Sequence, residues 1–203
     1  MKLYGDLISP FVRMCMVTAK EAGLGARVQL VSAVLKPHEV NSALAKLSPI
    51  GKIPILETDH GRALYDSRVI MEYFCHVAGN KVLLPDEGNK HFHVLTLLAL
   101  AQGMGDASVS LRYETATRPA AAHWPEYATR LQARLAACMD ELEHHWQDSL
   151  TMPNLGSIAA AVVLGYIDLR NLAPQWRQNR PQLAAFTETF AKRESFTDTQ
   201  PKT

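Results

Sequence analysis

The first 23 residues of the chain have the pattern of a strand, a tight turn and a helix. A short apolar strand ends at Gly5, and Ser9-Pro10 then precedes a long amphipathic run that ends at Gly23. Serine is a preferred N-cap, proline suits the first helical position because it has no N–H to leave unpaired, and glycine favours the position after a helix. We therefore predict a helix whose N-terminal N–H groups and positive dipole end point beyond the strand.

Two interpretations of this helix start remain open from these residues alone. In the first, Ser9 only caps the helix, which is the commonest use of serine at such a position. In the second, the helix end stabilises a small anion, or a thiol that must become an anion. The second interpretation requires other segments of the chain to converge on the same place.

Composition narrows the class of protein. The 203 residues are 47% hydrophobic and 20% charged with a net charge of +1, so no electrostatic feature favours nucleic acid or an anionic membrane. No apolar run is expected to approach the roughly 18 residues of a membrane-spanning helix, and no signal-peptide pattern opens the chain. Three widely spaced cysteines without a CxxC motif favour free thiols and a reducing, cytoplasmic setting.

Alternation and helical periodicity define the elements that follow the first helix. They predict a strand at 27–32, a short helix from Lys36 through Leu47, a hairpin at 53–65 and a helix at 68–78. The resulting order is βαβ, then a helix, then ββα. The first unit requires parallel strands joined by a crossover, and the second contains an antiparallel hairpin.

Beyond residue 80 the pattern becomes helical. We expect long helices at 91–118 and 125–150, a helix at 158–167 that is apolar on nearly all faces and therefore central to a bundle, and a loose polar tail from Thr197. The predicted fold is α/β followed by all-α. Its predicted parts are a domain at 1–79, a linker at 80–88 and a helical domain at 89–203.

Two further segments carry site chemistry. Ile53-Pro54 precedes a short strand after a Gly-Lys approach, which suggests a cis bond that would turn the Ile53 backbone toward an extended peptide ligand. Asp66-Ser67 opens a helix, where N–H groups and the Ser67 hydroxyl can hold a carboxylate while Asp66 takes an ammonium group. Asp66 alone has a simpler interpretation as a helix cap. Together with Ser9, these segments are typical of a site for a small thiol peptide.

Four stretches of the chain resemble the cytosolic glutathione S-transferase family, in its bacterial, serine-type form. They are 9–13 (Ser-Pro-Phe-Val-Arg), 51–56 (Gly-Lys-Ile-Pro-Ile-Leu), 64–70 (Leu-Tyr-Asp-Ser-Arg-Val-Ile) and the later helix around 103–114. The resemblance covers nearly the whole length. It implies an N-terminal thioredoxin-like domain, a C-terminal helical bundle and a homodimer with a role in detoxification.

The resemblance also implies residue roles. Ser9 would donate a hydrogen bond to the glutathione sulfur, Ile53 beside Pro54 would pair with the cysteinyl backbone, and Asp66 with Ser67 would hold the γ-glutamyl end. Glutathione would be the co-substrate, and its thiolate would attack a small hydrophobic electrophile or a hydroperoxide. The glycyl carboxylate would be bound by Lys36 and His38. The electrophile pocket would be lined by Phe11, Arg112 and Tyr113.

The chain departs from the family pattern at the central helix of its second half. Relatives often carry Ser/Thr-x-x-Asp there, whereas this chain has Asn154-Leu-Gly-Ser157, in which Asn154 can still cap and Ser157 can reciprocate. Cys15 is expected in the packed core.

No metal site is predicted, since His144 and His145 are adjacent on a helix and point about 100° apart. The alternative function is a glutathione-transferase-like binding or regulatory protein with little turnover.

Overall fold

The structure is a computed structural model that describes residues 1–202, and it contains two compact units. The first unit comprises Met1–His91 together with the residues from Glu194 onward, and the second comprises Phe92–Arg193. The sequence-based division placed everything from residue 89 in the helical domain. The structure instead groups the residues from Glu194 onward with the first unit, because they pack against its first helix.

The first unit is built on a four-stranded mixed sheet with the order β2-β1-β3-β4. Its elements are β1 (Lys2–Gly5), α1 (Pro10–Glu21), β2 (Gln29–Ser32), α2 (Ser42–Leu47), β3 (Ile55–Glu57), β4 (Ala63–Leu64) and α3 (Ser67–Ala78). β1 pairs parallel with β2 and antiparallel with β3, and β3 pairs antiparallel with β4. The predicted βαβ and ββα arrangement is therefore confirmed.

Apolar side chains from the sheet and from both long helices of this unit form its core. Burial of this surface is the main favourable term holding the unit together. The fully buried members of that core include Leu3, Val12, Ile55, Leu56, Ile70 and Phe74. The predicted helix ends are also confirmed, since Gly23 and Gly79 both have the positive φ of the residue that follows a helix.

The predicted helix from Lys36 through Leu47 is only half correct. Residues 36–41 form a loop, and α2 begins at Ser42 because the Asn41 side chain accepts hydrogen bonds from the N–H groups of Ala43 and Leu44, each at 3.1 Å. A side chain that caps these first amides fixes the start of the helix at that residue.

The second unit is helical. It contains most of α4 (Gly88–Ala116), and its further helices are α5 (Pro125–His145), α6 (Gln147–Leu150), α7 (Leu155–Leu169) and α8 (Pro181–Phe190). The predicted continuous helix at 125–150 is wrong, because the helix is interrupted at Trp146. The Gln147 side-chain amide donates to the carbonyls of Leu142 and Glu143 and so ends α5.

Helix α7 has the predicted central position. Every residue from Leu155 to Leu164 is buried, as expected of a helix that is apolar on all faces. Gly156 lets α7 approach α4 closely, since a Cβ atom at this position would lie 2.5 Å from Leu97 Cγ. The Asn154–Ser157 pair forms a complete capping box, which confirms the expected reciprocity.

The segment that joins the first unit after the helical unit is 194–200, which we call the return segment. It contains the short helix α9 (Glu194–Thr197). The expectation of a loose tail from Thr197 is wrong: Thr199 is buried, and its hydroxyl donates to the Ser195 carbonyl at 2.7 Å.

By length and composition alone, α4 could cross a membrane, which corrects the expectation that no stretch approaches that length. More than half of its most apolar window is buried inside the protein. Core helices of globular proteins meet the same criterion, so α4 is accounted for as a core helix.

Candidate functional site

Three loops of the first unit leave the sheet at the same edge. β1 runs toward this edge and ends at Gly5, whereas the antiparallel β3 starts there, with Tyr4 opposite Ile55. β4 runs antiparallel to β3 and ends at Leu64, which lies opposite Leu56. The segments 6–9, 53–54 and 65–66 therefore emerge side by side, and these segments carry the predicted glutathione elements.

Ser9 occupies the N-cap position of α1 but does not use its side chain to cap the helix. Its backbone is extended, its N–H donates to the Asp6 carbonyl at 2.9 Å, and its own carbonyl accepts from the Arg13 N–H at 3.0 Å. The hydroxyl makes no capping hydrogen bond. The position predicted for Ser9 is confirmed, and its hydroxyl is left for another acceptor.

Gly5 allows α1 to begin close to the end of β1. Its φ is +154°, and a Cβ atom here would lie 2.4 Å from Val12 Cγ2. Any larger residue would push Val12, and with it the first turns of α1, away from the sheet. Gly5 thus determines how close the start of α1, with Ser9, lies to the end of β1.

The second loop contains the predicted cis bond. The Ile53–Pro54 peptide is cis, and both residues precede β3, which begins at Ile55. The third loop holds a second cis peptide, Tyr65–Asp66, which involves no proline and which the sequence reasoning missed. No local sequence signal marks such a bond, since cis peptides without proline are very rare.

Asp66 and Ser67 form the start of α3. One carboxylate oxygen of Asp66, Oδ1, accepts the Arg68 N–H at 3.0 Å, so the capping interpretation of Asp66 is confirmed. Asp66 is exposed and Ser67 is buried. The exposed carboxylate can meet a ligand as well as cap the helix, and its binding role stays a prediction.

Helices α1 and α3 contact each other near these starts. The Cys15 thiol of α1 donates to the Ser67 carbonyl at 3.6 Å. Burial, followed by the charge of Asp66, raises the pKa of the Cys15 thiol well above its usual value. Cys15 is therefore an inert core thiol, as expected, that ties the N-terminal half of α1 to the first turn of α3.

Lys36 and His38 lie on the exposed loop that follows β2, another strand that ends at this edge of the sheet. Both face Glu39: Lys36 Nζ lies 2.9 Å and His38 Nε2 lies 3.5 Å from its Oε1. The loop already presents two basic groups to one carboxylate. Their assignment to the glycyl carboxylate of glutathione stays a prediction.

The residues predicted for the electrophile lie on two helices. Phe11 is half-buried in α1, while Arg112 is half-buried and Tyr113 is 40% exposed on α4. Within the second unit, Arg112 and Tyr113 are near enough to influence the Tyr166 hydroxyl, whose pKa burial raises above its usual value. Their contact with an electrophile stays a prediction.

The sequence reasoning assigned no role to Arg13. This arginine is only 6% exposed, and burial lowers its pKa to about 10. The sequence feature that could have indicated its role is its position, since it is a charged residue on a part of α1 where the other side chains are buried. Among residues 1–202, no group of three or more His, Cys, Asp or Glu side chains is placed to hold a metal ion.

Comparison with known proteins identifies the family of the chain. Residues 8–77 match the family model "Glutathione S-transferase, N-terminal domain". The uncharacterized GST-like protein YibF of Escherichia coli K12 is 33% identical over 205 residues, which cover 99% of this chain and 98% of YibF.

Solved structures agree over the full length. A glutathione transferase family member from Pseudomonas fluorescens Pf-5, crystallised with bound glutathione, is 37% identical, with a TM-score of 0.96 over 100% of this chain and 99% of that one. A second structure from that organism, with bound S-(propanoic acid)-glutathione, is 36% identical, with a TM-score of 0.91 over all of both chains. The expected thioredoxin-like domain followed by a helical domain is thereby confirmed, and the chain belongs to the glutathione S-transferase family.

Proposed function

We propose that this protein is a glutathione transferase that binds glutathione at the sheet edge of its first unit and activates the thiol through Ser9. The observation that carries the proposal is the full-length similarity to a family member crystallised with glutathione, at a TM-score of 0.96. The Ser9 hydroxyl, which makes no capping bond, adds a donor where the family places its activating group.

Thiol activation follows from hydrogen bonding and from the helix dipole. A free thiol has a pKa of about 8.5, so only a few per cent is thiolate at neutral pH. A hydroxyl that donates to the sulfur stabilises the thiolate, as does the positive end of α1. Each unit by which the thiol pKa falls corresponds to about 1.4 kcal/mol of stabilisation of the thiolate relative to the thiol.

The remaining loops of this edge supply the binding groups. The Ile53 backbone, next to cis-Pro54, pairs with the cysteinyl part of glutathione as one strand pairs with another. Asp66 takes the γ-glutamyl ammonium, and Ser67 at the start of α3 takes its carboxylate. Lys36 and His38 exchange the Glu39 carboxylate for the glycyl carboxylate.

In the transfer step, the thiolate attacks an electrophilic carbon, a carbon–sulfur bond forms, and the leaving group departs with the bond electrons. Phe11, Arg112 and Tyr113 are the residues we propose for contact with the electrophile. The product of such a step is an S-substituted glutathione. The S-(propanoic acid)-glutathione bound by the relative from Pseudomonas fluorescens is a molecule of this kind. Hydroperoxides are a second class of acceptor in this proposal: the thiolate attacks a peroxide oxygen, the O–O bond breaks to release an alcohol, and a second glutathione reduces the resulting sulfenic acid to give glutathione disulfide and water.

The proposal extends to a detoxifying homodimer in the cytoplasm. The three cysteines are free thiols, which is compatible with a reducing compartment. Light scattering during gel filtration tests the assembly, and a mass of 22.5 kDa would reject the dimer because it is that of one chain.

The Ser9→Ala variant tests the mechanism. We expect conjugation of an aryl halide to fall by about ten- to a hundredfold, because one donor to the thiolate is lost. The dissociation constant of glutathione should change less than about twofold, since the binding loops are intact. Ser9→Thr is the matched control, because it keeps a hydroxyl and should retain most of the activity. Unchanged conjugation by Ser9→Ala would reject Ser9 as the activating group.

Asp66 requires a design that separates capping from ligand binding. Asp66→Asn keeps an oxygen that can accept the Arg68 N–H but removes the charge that an ammonium group needs. We expect this variant to bind glutathione about tenfold more weakly at nearly unchanged thermal stability. Equal affinity in Asp66→Asn and wild type would leave Asp66 as a cap only.

Retention of the wild-type protein on immobilised glutathione, measured together with conjugation, tests the function as a whole. We expect both. Retention without turnover over a panel of electrophiles would favour a binding or regulatory protein.

A further inference from the structure

The return segment contacts α1 at both ends of that helix. Toward the helix start, an Arg13 Nη2 atom donates to the Phe196 carbonyl at 3.1 Å, and the guanidinium carbon lies 3.8 Å from the centre of the Phe196 ring. Toward the helix end, Lys20 Nζ lies 2.7 Å from Asp198 Oδ2. The contacts near Arg13 are buried, whereas those of Lys20 are exposed.

The Arg13 contact is poorly suited to a purely stabilising role. Arg13 is buried, no carboxylate among residues 1–202 pairs with it, and its Nε atom is buried without a hydrogen-bond partner. Burying an unpaired cation costs more than burying an apolar side chain of similar volume. A methionine would fill the same space at a lower cost. What arginine adds is direction: one hydrogen bond and one planar stacking contact fix how α1 meets the return segment.

Arg13 is also rigidly connected to Ser9. It lies one helical turn later, and its N–H donates to the Ser9 carbonyl at 3.0 Å. A shift of Arg13 therefore moves Ser9 and the first-turn amides with it. Misplacement of a catalytic group by about 1 Å can cost around a hundredfold in rate.

We propose that Arg13 is a positioning residue, which ties the first turns of α1 to Phe196 of the return segment and so holds the Ser9 hydroxyl in its working position. This inference rests on the proposed function. It adds a second requirement for thiol activation. The loops of the sheet edge bind glutathione, and the return segment fixes the position of the Ser9 hydroxyl.

The test is the pH profile of conjugation at saturating glutathione, which reports the pKa of the bound thiol. We expect Arg13→Met to raise that pKa by about half a unit to one unit, which lowers the rate below the pKa about three- to tenfold. The dissociation constant of glutathione should stay within about twofold of the wild type. Lys20→Met is the matched control: it loosens the same segment, but about 16 Å along the helix from Ser9, and should leave the thiol pKa unchanged.

Phe196→Ala tests whether Arg13 acts through the return segment, because it keeps the charge of Arg13 and removes the ring on which the guanidinium stacks. We expect a smaller rise of the thiol pKa in the same direction, and Phe196→Leu replaces this variant if it does not fold. A rise in Arg13→Met alone would show that its charge acts directly and would overturn the proposal. Folded variants with the wild-type thiol pKa would also overturn it. If wild type itself binds glutathione without lowering its thiol pKa, the proposed function fails and this inference fails with it.

Discussion

The start of α1 in the first unit is built differently from the starts of α7 and α8 in the helical unit. In the helical unit, side chains occupy the first amides: Asn154 and Ser157 close a capping box at α7, and the buried carboxylate of Glu143 accepts from two N–H groups at the start of α8. In the first unit, α1 begins at Ser9 with no side-chain cap. Within the first unit, α2 and α3 are also capped by side chains, those of Asn41 and Asp66. The start of α1 therefore differs both from the starts of α7 and α8 and from its neighbours, and its cap residue is the one for which we propose a ligand.

The largest effect should come from Glu143, which is 2% exposed and accepts from Leu183 N at 2.7 Å and Gln182 N at 3.2 Å. Glu143→Ala removes two hydrogen bonds to a carboxylate and leaves the buried Leu183 amide without its acceptor. We expect the free energy of unfolding to fall by about 3 kcal/mol in a denaturant titration. Glu143→Gln keeps one acceptor and should lose about half as much. A loss below about 1 kcal/mol would mean that water replaces the carboxylate.

Asn154→Ala should have the next largest effect. The Asn154 amide accepts from Ser157 N at 3.0 Å and donates to the carbonyls of Ser149 and Met152. We expect a loss of about 2 kcal/mol of unfolding free energy, at the upper end for an N-cap. Asn154→Asp keeps the acceptor and should be intermediate. Equal stability of Asn154→Ala and wild type would remove the contrast between the starts of α7 and α1.

Acid should weaken a contact at the residue that precedes α5, where Glu114 accepts the N–H of Trp124 at 2.6 Å. The N–H of Trp124, and then the guanidinium of Arg118, hold the pKa of Glu114 below its usual value, although burial opposes this. A lowered folded-state pKa contributes stability above the unfolded value near 4.5, and this contribution is lost as pH falls through the folded-state pKa. Melting temperatures measured downward from pH 5 should therefore fall less steeply in Glu114→Gln. Parallel curves would contradict this role.

Ser9→Ala should have the smallest effect on stability, despite its large expected effect on conjugation. Because no capping bond is lost, we expect a change below about 0.5 kcal/mol, less than for an ordinary N-cap serine. Thermal unfolding of Ser9→Ala beside Asn154→Ala makes the comparison direct. A loss near 1 kcal/mol would show that the hydroxyl caps α1 in solution.

Features encoded locally could be predicted from the sequence. The αL glycines after α1 and α3, the Asn154 cap and the cis bond at Pro54 all depend on residues within a few positions of one another. The chemistry of these residue types limits their conformations strongly, so the pattern was sufficient. The topology of the sheet edge then followed from the order of strands.

Features that depend on distant or competing contacts could not be predicted. The break at Trp146 follows from the Gln147 side chain competing for helical carbonyls, and the late start of α2 follows from Asn41. The docking of the return segment joins Arg13 to a residue 183 positions later. No local pattern encodes such a pairing, so the sequence indicates Arg13 only as part of the 9–13 motif.

This long separation has a consequence for biosynthesis. At about 5–20 residues per second, translation needs roughly 9–37 s to proceed from Arg13 to Phe196. During that interval a ribosome-bound chain can assemble its sheet while the guanidinium of Arg13 still lacks the ring and carbonyl that later cover it. A nascent chain would thus acquire its peptide-recognition surface well before the side of α1 that meets Phe196 is shielded from water.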